Sequence, residues 1–111
     1  MAKTETRETL LLMQKGPELE SRTFFNFDSV EQCLEFIVKL FEDRLRSQLS
    51  SKENFTYDLG QLFSYVDGVP DMFCLVYNEQ GRNFTPHGKD WIKSKLYKTL
   101  SRQAAVIDFD N

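Results

Sequence analysis

The chain has 111 residues, 14 basic and 17 acidic, a formal net charge of −3, and 41% hydrophobic residues that include ten Phe. That length supports one domain around one core, and the supply of large apolar side chains excludes a disordered chain. The acidic balance, with a pI of about 5.1, disfavours direct binding to nucleic acid, where cations on phosphates supply most of the affinity.

Chemistry is bounded as early. Cys33 and Cys74 form no CxxC, His87 is the one histidine, and the five glycines make neither GxGxxG nor a P-loop. No metal and no cofactor is therefore expected. Counting leaves a Cys74–His87 nucleophilic pair open, but Cys74 sits in the apolar run Met72–Tyr77, where a thiol is expected buried and inert. The chain is read as a non-enzyme. Met1–Glu8 is polar and resembles no signal peptide, and no apolar run approaches the ~20 residues that span a bilayer. A soluble intracellular protein with reduced thiols is expected.

Along the chain, Thr9–Gln14 is a short apolar run stopped by Lys15-Gly16-Pro17, the pattern of a strand buried on both faces. A polar loop leads to Arg22–Phe27, rich in aromatic residues and predicted as a second strand. Ser29 with Gln32 suggests a capping box. Behind it, Val30, Cys33, Leu34, Ile37, Val38, Phe41, Leu45 and Leu49 fall on one stripe of a helix reaching about residue 48. After the polar linker Ser50–Asn54, Asp58 and Gln61 offer a second capping box, opening a short helix that Asp67-Gly68-Val69-Pro70 stops. Met72–Tyr77 and Arg82–Thr85 are predicted strands around an Asn78–Gly81 turn. A last helix starts near Asp90, with Trp91, Ile92, Leu96, Leu100 and Gln103 on one face and Lys93, Lys95 and Lys98 on a solvated one. His87 is expected in a solvent-facing turn.

The order β-β-α-α-β-β-α implies an α+β domain, a four-stranded antiparallel sheet with three helices on one face. Leu10 and Leu12 must then point away from Leu11 and Met13, and Phe73, Leu75 and Tyr77 away from Met72, Cys74 and Val76. Both sheet faces are apolar. Helices on one side leave the other needing a partner, and a second copy of the chain, sheet to sheet, is the simplest.

The chain resembles the enhancer of rudimentary homologue family. The resemblance rests on Thr9–Gln14, Arg22-Thr23, Ser29-Val30 with Cys33, Thr56-Tyr57-Asp58, Gln61-Leu62-Phe63, Cys74–Tyr77, Lys89–Lys93 and Arg102-Gln103-Ala104. It implies a flexible leader (1–8), a domain over 9–104 and a flexible tail (105–111). It also implies a homodimer through the helix-free sheet face, with Leu10, Leu12 and Phe25 at the contact. The implied function is a non-enzymatic adaptor, nuclear or cytoplasmic, that binds short segments of RNA-binding or RNA-processing proteins and meets RNA only indirectly. Family roles include small-RNA (piRNA or microRNA) processing, transcript elimination and mRNA decay, splicing, and the cell cycle. Phe27, Phe84 and Trp91 are candidates for the partner-peptide groove. Where the family carries an acidic residue three positions after its phosphorylatable Ser, this chain has Gln32 after Ser29, so phospho-control at Ser29 is not expected. The alternative is a direct single-stranded RNA-binding module that stacks bases on Phe25 or Phe84.

Overall fold

Thr9–Gln14 form strand β1 and Arg22–Phe27 strand β2, joined through a 3-10 turn at Leu19–Ser21. Helices α1 (Val30–Gln48) and α2 (Leu59–Gly68) follow, then β3 (Asp71–Asn78), β4 (Asn83–His87) and α3 (Lys89–Asp110). This computed structural model describes residues 9–48 and 57–110, with side chains as far as Ser101. The leader 1–8, Leu49, the linker Ser50–Asn54 and the Gln103 side chain lie outside the described residues.

The sheet runs β2-β1-β3-β4 and is antiparallel throughout. The central places of β1 and β3 explain why both read as apolar on two faces. Register puts Leu11 between Phe25 and Cys74, and Leu12 between Phe24 and Phe73. On the first of these faces Leu11, Met13, Met72 and Cys74 are buried. They meet Cys33, Leu34, Ile37 and Phe41 of α1, Leu62 and Val66 of α2, and Ile92 and Leu96 of α3. All three helices lie on that side. Phe36, which the helical stripe read from sequence did not include, packs its ring on Phe25 (4.7 Å between centroids) and Phe27 (5.3 Å).

Both helix starts are capped by the residues the sequence points to, with one shift. The Gln32 backbone N–H donates to Ser29 Oγ at 3.2 Å, but Gln32 Oε1 reaches back to the N–H of Asp28, one residue beyond Ser29. At α2 the box is reciprocal: Asp58 Oδ1 accepts from the Gln61 N–H, and Gln61 Oε1 from the Asp58 N–H, both at 2.9 Å. Each cap removes an orphan donor, worth ~1 kcal/mol.

Three boundaries differ from expectation. β4 continues through Pro86 to His87, which an edge strand permits because one side of its backbone needs no ladder partner. In the β3–β4 turn Arg82, not Gly81, takes the left-handed conformation, with φ 55°. Asn78 Oδ1 holds that turn by accepting from the N–H groups of Gln80 and Gly81. Helix α3 runs on to Asp110, past the expected end of the domain at residue 104, because no Gly or Pro interrupts 105–110.

Two long side chains join α3 to the end of α2. The Lys89 ammonium donates to the carbonyls of Asp67 (3.1 Å) and Val69, and Lys93 Nζ to both Asp67 carboxylate oxygens at 2.9 and 3.1 Å. The Asp67 hydrogen bond holds the Lys93 ammonium above its usual range. Lys93 is thus part of an interhelix contact instead of the solvated face expected for it.

Tyr57, just ahead of α2, packs edge-on against Phe41 and donates its hydroxyl to Glu42 Oε2 at 2.7 Å. Burial, with the Glu42 hydrogen bond second, pushes this phenol up from 10.0 to about 12. The folded state therefore holds its proton to higher pH than the unfolded chain does. The associated stability is complete below about pH 10 and is lost as pH rises towards 12. Urea midpoints measured across this window should fall more steeply for wild type than for Tyr57→Phe; parallel curves would remove Tyr57 as the cause.

Candidate interaction face

Among the described residues, the opposite face of the sheet carries no helix. Across it Leu12 lies between Phe24 and Phe73, Leu10 between Asn26 and Leu75, Leu75 beside Pro86, and Tyr77 beside Phe84. The Tyr77 and Phe84 rings meet edge to face at 5.3 Å. Phe24 is 63% exposed and Phe73 38%, although burying a Phe yields ~1.5–3 kcal/mol. Eight apolar side chains drawn from all four strands share this face; Asn26 sits beside Leu10 at the β2 edge, and the polar row Arg22, Gln14 and Asp71 bounds one end. A contiguous apolar surface of this kind makes the face a candidate contact site.

Of the residues expected at a dimer contact, Leu10 and Leu12 lie on this face, half-buried. Phe25 does not. It pairs with Leu11 and packs under Phe36 on the helix side, so its ring is spent in the core. Its neighbour Phe24 occupies the open face in its place. Strand alternation separates Phe24 from Phe25 within β2, but only the register across the β1–β2 loop says which of them accompanies Leu12.

The three groove candidates are not brought together. Phe27 lies on the helix side against Phe36, Phe84 on the open face against Tyr77, and Trp91 in the first turn of α3. Trp91 stacks on His87 with ring centroids 4.0 Å apart and planes 14° apart, and the Lys95 ammonium sits 5.4 Å from its ring. His87 is accordingly a half-buried packing partner of Trp91 at the end of β4, and not a solvent-facing turn residue.

Cys74 stands opposite His87 in the β3–β4 ladder, yet its Sγ faces Cys33 Sγ at 3.9 Å. Both thiols are fully buried, and the contact with Cys74 and burial push Cys33 far up. The same contact draws Cys74 down against its burial, so what counts against Cys74 as a nucleophile is its lack of access to solvent. No group of three or more His, Cys, Asp or Glu among the described residues is placed to hold a metal ion. No helix among them is long and apolar enough to cross a membrane.

Comparison with known proteins agrees with the pattern read from the residues. A family model described as Enhancer of rudimentary matches residues 5–106. Protein enhancer of rudimentary of Drosophila virilis is 41% identical over 97 residues, 87% of this chain and 92% of the relative. The enhancer of rudimentary homolog of Dictyostelium discoideum is 38% identical over 96 residues, 86% of this chain and 96% of the relative. Enhancer of rudimentary homolog 1 of Schizosaccharomyces pombe is more distant, 29% identical over 96 residues that cover 85% of this chain and 88% of the relative.

Proposed function

This chain belongs to the enhancer of rudimentary family, and on that premise we propose that it is a non-catalytic homodimeric adaptor for RNA metabolism, working in the nucleus or cytoplasm. It binds short segments of RNA-binding or RNA-processing proteins and serves small-RNA processing, transcript elimination or splicing. The observation that supports the reading is the helix-free sheet face around Leu10 and Leu12, an apolar surface that a second copy would cover. Two-fold pairing duplicates every partner site, so each dimer holds two copies of an RNA-binding partner. Linking two such modules raises their joint affinity for RNA by roughly 10²-fold or more without new RNA contacts.

The acidic chain fits this division of labour, because the partner and not the adaptor meets the phosphates. The direct RNA-binding alternative loses Phe25 as a stacking platform, since that ring lies beneath Phe36. A mobility-shift assay separates the two readings. The purified chain alone should leave short single-stranded RNA unshifted at concentrations where a complex with an RNA-binding partner shifts it. Comparable shifts by the chain alone would overturn the adaptor reading.

A further inference from the structure

Between α1, α2 and the end of β1 lies a cavity of about 160 Å³, lined by Lys15, Arg44, Ser64 and Tyr65 and completed by Gly68 and Val69. It holds two cations and no carboxylate in a chain whose net charge is −3. Among the described residues neither Lys15 nor Arg44 is in an ion pair; nearby Asp43 is paired with Lys39 and Arg46 instead. At the C-terminal end of α2 the carbonyls of Asp67 and Val69 are taken by the Lys89 ammonium. Lys15 and Arg44 therefore present a local excess of positive charge beside two hydroxyl donors. Burial raises the Tyr65 phenol while the Arg44 charge draws it back, which places the guanidinium within electrostatic reach of that hydroxyl.

We propose that this cavity receives a single phosphate group, carried on a phosphorylated Ser or Thr of a partner protein segment. Such a group brings nearly two negative charges and three acceptor oxygens. A planar guanidinium matches it bidentately, an ammonium adds a mobile point charge, and the Ser64 and Tyr65 hydroxyls supply neutral donors. The volume, about five water molecules' worth, suits a tetrahedral oxyanion with its remaining waters. An RNA backbone fits less well, because it is followed by a track of cations and aromatic platforms, whereas this cavity offers one pair of charges, both on exposed side chains. All lining residues belong to one chain, so the site does not depend on dimerisation. It rests on the adaptor reading only in taking a protein segment as the carrier of the phosphate.

The test is an amide nitrogen–proton NMR titration with O-phospho-L-serine and inorganic phosphate. Chloride at matched ionic strength and a short single-stranded RNA are run beside them. The phosphate probes should give saturable shifts confined to the neighbourhoods of Lys15, Arg44, Ser64, Tyr65 and Val69. Lys15→Gln with Arg44→Gln should weaken them about tenfold or more, the loss of two charge-assisted contacts, while the rest of the spectrum certifies the fold. Shifts that chloride reproduces, or that survive the double variant, would overturn the site. Tighter saturation by RNA than by phosphoserine would overturn the protein-borne carrier. A chain that proves monomeric but still shows the saturable shifts leaves this site standing while the dimer fails.

Discussion

Light scattering on the wild-type chain should give a molar mass near 26 kDa, twice the 13.0 kDa of one copy, and Leu10→Arg with Leu12→Arg should bring it to one copy. Leu10 and Leu12 occupy the central strand β1 of the helix-free face, flanked by Phe24, Phe73 and Leu75. A two-fold contact through this face meets both positions from each copy, so the double substitution places four guanidinium groups in one seam. A charge left unpaired in a dry contact costs about 3–5 kcal/mol, or 10²-fold and more in the dissociation constant for each one not relieved by water. The isolated fold should survive, because these side chains are not part of the core beneath the three helices and the arginines remain solvated in a single copy. Circular dichroism checks that point on the same sample. A wild type already at 13 kDa, or a double variant that stays dimeric, would remove the dimer and with it the duplication of partner sites.

Local pattern made most of the fold legible, because period and punctuation act over a few residues. The alternation in Thr9–Gln14 and Arg22–Phe27 and the three-four spacing of Cys33, Leu34, Ile37 and Phe41 each report a face without knowledge of the rest of the chain. What could not be read was phase between elements. Phe24 and Phe25 are equivalent in sequence, and only pairing with Leu12 or with Leu11 sends one to the open face and the other beneath Phe36. His87 and Lys93 depart from their expected places for a related reason. Their partners, Trp91 and Asp67, come from other elements, and a polar or ring-bearing residue beside a turn gives no local sign of such a contact. The Lys15–Arg44 cavity was invisible on the same ground, being assembled from three segments by tertiary packing.

The two faces of β1 make a second large effect measurable one residue away from the first. In the monomeric Leu10→Arg, Leu12→Arg background, Leu11→Ala should lower the free energy of unfolding by about 2–5 kcal/mol, and Phe24→Ala by no more than ~0.5. Leu11 is fully buried between Phe25 and Cys74, against Ile37 and the rest of the helix layer, so truncation leaves a cavity that rigid neighbours on three sides cannot close. Phe24, 63% exposed, loses little that a single chain provides. Using the monomer matters, because association would add concentration-dependent stability to both measurements and hide the contrast. Urea unfolding with unchanged m-values reads the difference directly. Equal losses for the two substitutions would mean that both faces are covered within one copy, and the open face would then have no surplus to offer a partner.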